Sequence, residues 1–146
     1  AVPHNIIGPK QKYDDAFRNV ASIMINLILQ NRRPTIYGDG KQMRCFSDIA
    51  DCLICMDKLM FDPKIKNQII NIGPDEEFIT IRALFDIISN KLKFNQEPIY
   101  DIERPNEVIH AYCASDKARD MLSYKTSISL SESIDNMISY INNNYI

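Results

Sequence analysis

Arg33-Pro34-Thr35-Ile36-Tyr37-Gly38-Asp39-Gly40-Lys41-Gln42-Met43-Arg44-Cys45-Phe46-Ser47-Asp48 is the stretch around which the chain is organised. Pro34 lacks an N–H and has a fixed φ, so it stops any helix that precedes it. Thr35-Ile36-Tyr37 has the β-branched and aromatic residues of a strand, and Gly38-Asp39-Gly40 supplies positions where φ can be positive. A second extended piece then carries Arg44. A guanidinium held on a strand beside a glycine turn suits forked recognition of a phosphate or a carboxylate. The plainer reading pairs Arg44 with Asp39 or Asp48 at the surface, where an ion pair contributes little.

Upstream of this stretch, residues 2–7 read as the end of a strand that Gly8-Pro9 turns away. Asn5 interrupts its apolar pattern, either to cap the turn or to point into a site at the carboxyl edge of a sheet, where open α/β sheets bind ligands. Asp14 and Asp15 offer an N-cap to a helix carrying Phe17, Val20, Ile23, Met24, Leu27 and Ile28 on more than one face, which predicts a largely buried helix. Arg18 and Asn19 fall in its first turn, where free backbone N–H groups favour anions, although solvated positions are the commoner case.

Downstream, Asp48 and Asp51 precede or start a helix that runs to Phe61, with Ile49, Cys52, Leu53, Met56, Leu59 and Met60 on its apolar side and Pro63 ending it. Residues 68–72 predict a short buried strand that stops at Gly73-Pro74. Thr80 caps a helix bearing Ile81, Leu84, Phe85, Ile88 and Leu92. Pro98-Ile99-Tyr100 is a further strand, and residues 103–107 form a polar turn with Arg104 and Glu107 three apart. Ser115 opens a short helix to Leu122, and Ser129 or Ser131 opens a last amphipathic helix with a frayed Asn142-Asn143-Asn144 tail. The sequence contains no internal repeat.

The length of 146 residues fits one domain with a real core. The formal charge of -2 and the scattered basic residues argue against a nucleic-acid partner. No apolar run approaches the ~20 residues of a membrane span, and Ala1-Val2-Pro3-His4 has neither segment of a signal peptide, so the chain reads as soluble and cytoplasmic. It begins without methionine inside an apolar run, as a fragment of a longer protein does. Cys52-Leu53-Ile54-Cys55 has CxxC spacing but an apolar helical context, with His4 and His110 far away. Buried thiols acting as small hydrophobes are the expected reading, and neither a metal nor a redox role is.

A search for catalytic groups returns little. Tyr37 and Lys41 satisfy the literal pattern Y-x-x-x-K, which works on one helix face, where lysine lowers the phenol's pKa. Two glycines between them make a turn instead. Of Gly8, Gly38, Gly40 and Gly73, no three form the dinucleotide-binding glycine fingerprint.

With those residues placed, the chain resembles the C-terminal half of the extended short-chain dehydrogenase/reductase family, in particular NAD-dependent nucleotide-sugar epimerases of the UDP-glucose 4-epimerase type. Pro3-His4-Asn5-Ile6-Ile7-Gly8-Pro9 is similar to the family's R-P-H-N-V-Y-G-P, and Phe17-Arg18-Asn19-Val20 to its Y-R-N-V. Residues 35–46 resemble T-I-Y-G-D-G-x-Q-x-R-D-F, Asn71-Ile72-Gly73 resembles N-I-G, residues 104–108 resemble R-P-G-E-V, and residues 115–118 resemble I-S-K-A. Each piece is weak alone, whereas the ordered set is specific.

The resemblance implies a mixed α/β domain, with helices packed on short strands, spanning residues 1–146 as the sugar-nucleotide domain. An absent N-terminal Rossmann domain would hold NAD and the catalytic residues, so this chain alone should neither bind NAD nor turn over. By matched position, Asn5 and Asn19 would bond the diphosphate or sugar, and Val20 would offer its backbone. Thr35 and Tyr37 would line the base, Arg44 and Arg104 would grip the diphosphate, and Glu107 would accept from the ribose hydroxyls. His4 would lie against the cofactor. The resemblance further implies a UDP-sugar ligand and a homodimeric parent, with a 4,6-dehydratase or a non-catalytic nucleotide-binding module as alternatives. Cys45 replaces the family's aspartate, Ile7 a tyrosine, and Asn106 a glycine that asparagine imitates at a left-handed position. Ala111 stands where a bulkier residue accompanies simple hexoses, which hints at room for an N-acetyl group.

Overall fold

The computed structural model describes residues 1–15 and 17–145. The organising stretch forms β3 (Thr35–Tyr37), a glycine turn, β4 (Met43–Arg44), β5 (Ser47–Asp48) and helix α2 (Ile49–Phe61). Gly38 and Gly40 have φ of 69° and 76°, the positive values the turn requires. Lys41 folds back onto Asp39 at 2.7 Å, so Tyr37 and Lys41 flank a turn as the two glycines between them predict.

The expected strand over residues 2–7 is two strands. β1 (Val2–Pro3) pairs parallel with β6 (Asn71–Ile72), while β2 (Ile6–Ile7) pairs parallel with β5. Asn5, with φ of 44°, breaks the run. A left-handed residue reverses the local pleat, so the chain changes partner there.

Helix α1 (Val20–Leu29) also starts later than the sequence suggests. Its N-cap is Asn19, whose Oδ1 accepts the Ala21 N–H at 3.0 Å. Asp15 instead closes a turn of its own, accepting the Phe17 N–H at 2.9 Å, and Phe17 is 96% exposed. Asparagine and aspartate are near-equal caps, so the choice fell to where the chain turns into the core.

Asp48 caps α2 through Ala50 N–H at 2.8 Å. The helix buries Cys52 and Cys55, but Leu53 and Met60 face outward. A helix resting on one neighbouring layer buries a narrow stripe, and those two positions lie beside it. β7 (Ile79–Thr80) leads into α3 (Ile81–Leu92), where Thr80 Oγ1 accepts from Ala83 N–H at 3.0 Å. β8 (Ile99–Asp101) pairs parallel with β3, and β9 (His110–Ala111) pairs parallel with β4, whose other edge takes β7 antiparallel. α4 spans Asp116–Leu122, and α5 spans Leu130–Tyr145, so the expected frayed asparagines continue the helix. Asn144 Nδ2 bonds back to Tyr140 C=O at 2.8 Å.

Two apolar clusters result. The larger joins α1, α3 and α5 under β3, through residues such as Met24, Ile36, Leu84 and Ile134. The smaller joins α2, α4 and β6 around Cys52, Cys55, Ile72 and Leu122. All four cysteines are buried free thiols, as small hydrophobes are. Among the described residues, no helix is long and apolar enough to cross a membrane.

Candidate functional site

A cavity of about 790 Å³ opens between α1 on one side and β3 and β4 on the other. Eight residues singled out by sequence line it: Asn5, Asn19, Val20, Thr35, Tyr37, Arg44, Arg104 and Glu107. His4 and Ala111 are not in its wall. His4 touches the wall through Asn5, with Nε2 3.2 Å from Asn5 Nδ2, and Ala111 sits in β9 in register with Arg44.

Arg44 owes its position to its strand. β4 is the middle strand of its sheet, so the backbone beside the guanidinium is fixed on both edges. One nitrogen, Nη1, donates to Met43 C=O at 2.9 Å, and Nη2 meets Glu107 Oε1 at 2.6 Å. The plainer expectation of a pair with Asp39 or Asp48 is therefore wrong: Asp39 holds Lys41, Asp48 caps α2, and Arg44 reaches across to Glu107. The side chains of this pair are only 15% and 16% exposed, well short of the solvent contact that makes surface pairs weak. The parallel β4–β9 pairing produces the meeting, because it draws the segment just before β9 alongside Arg44. Glu107 is the carboxylate that orients the Arg44 guanidinium.

Arg104 lies on the same wall with its guanidinium 3.9 Å from the centre of the Tyr37 ring, a close cation–π contact. The Arg104–Glu107 turn is real: Glu107 N–H donates to Arg104 C=O at 3.2 Å, and Asn106 takes the left-handed φ of 58° that its glycine-like role requires.

β3 presents a main-chain edge to the cavity. Ile99 N–H donates to Pro34 C=O at 2.8 Å, and Gly38 N–H donates to Asp101 C=O at 3.0 Å. In a parallel ladder that alternation turns the N–H and C=O of Thr35 and Tyr37 away from β8. Both residues line the cavity, and Gln42 takes the Tyr37 C=O, which leaves the Thr35 N–H and C=O and the Tyr37 N–H outside the β8 ladder.

Sequence reasoning missed Gln42, a buried wall residue whose Nε2 donates to Tyr37 C=O while its Oε1 has no partner. Its place in the T-I-Y-G-D-G-x-Q-x-R pattern was the available signal. Arg18, which the sequence leaves between an anion role and a solvated position, also lines the cavity. Arg18, Arg44 and Arg104 against Glu107 and the Asp15 paired to Arg18 leave the wall one charge positive, a field that favours anions.

Residues 1–73 match the model of the NAD dependent epimerase/dehydratase family. The chain belongs to that family. A provisionally named UDP-glucose 4-epimerase of Methanocaldococcus jannaschii is 36% identical over 140 residues, which is 96% of this chain and 44% of the relative. Among solved structures, the UDP-N-acetylglucosamine 4-epimerase of Methanobrevibacter ruminantium, in complex with UDP-N-acetylmuramic acid, superposes with a TM-score of 0.85 at 26% identity over 97% of this chain and 44% of its own. The UDP-glucuronic acid 4-epimerase of Bacillus cereus, in complex with UDP-glucuronic acid and NAD, superposes with a TM-score of 0.86 at 26% identity over 98% of this chain and 44% of its own. This family member therefore spans under half the length of those relatives, and its mixed α/β fold is theirs.

Proposed function

We propose that this chain is the sugar-nucleotide-binding part, residues 1–146, of an NAD-dependent nucleotide-sugar 4-epimerase whose ligand is a UDP-sugar. The observation that carries the reading is the cavity wall, in which an arginine pair, a carboxylate and an open strand edge face one space. The edge suits a pyrimidine imide, since Thr35 C=O can take the ring N–H and Tyr37 N–H can donate to the neighbouring carbonyl. Arg44 and Arg104 take the diphosphate, each charge-assisted bond contributing roughly 1.5–3 kcal/mol. Glu107 accepts from the ribose hydroxyls while steadying Arg44. Asn19 has its Oδ1 committed to the helix cap, which leaves the two Nδ2 protons for an anion, and the Val20 N–H begins the same helix. Asn5 lies opposite, at the strand break, and is the second amide for phosphate or sugar. Ala111, in β9 beside Arg44, lies outside the cavity wall, so the wall gives no support to its expected role in admitting an N-acetyl group.

The chain's own residues do not fit a dinucleotide cradle. Gly38 and Gly40 share one turn, but that turn leads into β4 and not into a helix, and Gly8 and Gly73 stand apart. His4 is the one residue assigned here to the cofactor, reaching it from the edge of the substrate site. In the parent protein a bound NAD would supply hydride-transfer chemistry at the sugar, while the residues of this half would bind and orient the nucleotide. A homodimeric, cytoplasmic parent is part of the same reading.

Calorimetric titration of the chain with UDP, UDP-glucose and UDP-N-acetylglucosamine tests it. The wild type should bind UDP, and Arg44→Ala should weaken it at least roughly tenfold, the lower end of one charged hydrogen bond. Arg44→Lys should recover little, because an ammonium cannot reproduce the fork. No UDP binding by folded wild-type chain overturns the reading, and so does epimerase turnover by the chain alone.

A further inference from the structure

Arg18 lines the same cavity from the segment between Asp15 and α1, and the roles assigned above leave it without a task. Its guanidinium is held at one corner only. Nε donates to Asp15 Oδ2 at 3.1 Å, the side chain is 54% exposed, and neither Nη has a partner among the described residues. Asp15 is a fixed post for that corner, because its other oxygen accepts the Phe17 N–H at 2.9 Å. The two remaining cavity arginines are more committed. Arg44 is engaged by Glu107 and by main-chain carbonyls, and the Arg104 guanidinium carbon stands 3.9 Å over the Tyr37 ring.

Charge alone does not single out Arg18, because Asp15 offsets it as Glu107 offsets Arg44; its unengaged Nη pair at the cavity does. An arginine anchored through Nε has its two Nη groups side by side, the fork that takes two phosphate oxygens. Asn19 is the next residue, so the fork and the amide proposed for the same anion come from one segment.

We propose that Arg18 is a third diphosphate ligand, oriented by Asp15 through Nε and engaging phosphate oxygens through its Nη pair. This rests on the diphosphate part of the function proposed above. It makes the segment before α1 the phosphate-binding limb of the site, opposite the strand-borne Arg44. It also ranks ligands by phosphate content: the Arg18 contribution is present with pyrophosphate and UDP, smaller with UMP, and missing with uridine.

The test titrates the chain with inorganic pyrophosphate, UDP, UMP and uridine at two ionic strengths, using wild type, Arg18→Gln and Arg18→Lys. Arg18→Gln should weaken UDP and pyrophosphate roughly fivefold, with a shallower salt dependence. Uridine should be unchanged, and Arg18→Lys should restore part of the loss, since it keeps the charge but not the fork. Arg18 is a surface side chain, so equal melting temperatures of the three proteins certify the comparison. UDP binding that is indifferent to Arg18→Gln, or a loss that is as large for uridine as for UDP, overturns the proposal alone. Arg18-dependent pyrophosphate binding without any preference for UDP overturns the nucleotide reading and leaves the phosphate ligand standing. Failure to bind either one overturns both.

Discussion

Cys45 follows Arg44 on the chain and shows how one residue's surroundings become a measurable property. Its side chain is fully buried, and burial pushes the thiol from its ordinary 9.0 up to about 11, with nearby Cys113 and Asp75 adding to the shift. The folded chain therefore keeps a proton that the unfolded chain releases above pH 9. With more protons bound in the folded state, stability falls as pH rises through that window. Urea unfolding at pH 8 and pH 10.5 should show a loss on the order of 2 kcal/mol attributable to Cys45, and Cys45→Ala should flatten that part of the slope. Burial shifts Cys52 and Cys55 upward as well, so the total fall is larger. Equal slopes for wild type and Cys45→Ala would show that the thiol is not the source. The sequence made these cysteines legible as small hydrophobes. It could not give the partner of Arg44, because Glu107 is 63 residues away and Asp39 and Asp48 were nearer in sequence.

Among the elements, α1 joins stability to the site most directly. Asn19 closes its first turn through Oδ1, and Ser22 Oγ donates back to Asn19 C=O at 2.8 Å. The amide oxygen is thus committed to the fold, while Asn19 also lines the cavity, where its Nδ2 is the proposed anion donor. Asn19→Asp separates them: aspartate is an equally good cap, and its charge suits a helix N-terminus. The melting temperature should hold or rise, whereas UDP affinity should fall at least tenfold, because two donors are replaced by an anion facing a diphosphate. Asn19→Ala should instead lose about 1 kcal/mol of stability as well as affinity. Retained UDP affinity in Asn19→Asp would remove Asn19 from the site. The sequence showed that a helix lies here, but not where it starts. Asp14, Asp15 and Asn19 are all competent caps, and only packing of Val20, Met24 and Ile28 against α3 and α5 selects among them.

On the scale of the molecule, the two apolar clusters are stitched by carboxylates that sequence reading took only for helix-start residues. Asp51, buried in the first turn of α2, accepts from Ser127 N–H at 2.9 Å, from Ile128 N–H at 3.3 Å and from the Ser127 hydroxyl. Asp48 accepts from the Ser133 hydroxyl on α5. These bonds tie α2, in the smaller cluster, to the start of α5, in the larger. Asp51→Ala would leave two main-chain donors without their partner, at a cost of about 2–4 kcal/mol. The urea midpoint should drop accordingly. A change below about 0.5 kcal/mol, the level of an ordinary surface substitution, would show that the clusters are not coupled through Asp51.

Local chemistry let the sequence determine much of this protein by itself. Pro34 and the glycines set the turn, β-branched residues set β3, and Asp48 and Thr80 set two helix starts, because each acts within a few residues of itself. The ordered motifs marked eight of the residues that line the cavity. Tertiary structure alone decided that Asn5 splits one strand into two with different partners, that Glu107 reaches Arg44, that Arg104 lies on Tyr37 and that Gln42 is buried beneath the turn. The reason is physical. Spacing encodes which face of an element a residue occupies, whereas strand pairing and long-range ion pairs depend on which elements meet once the apolar faces of α1, α3 and α5 have been buried together.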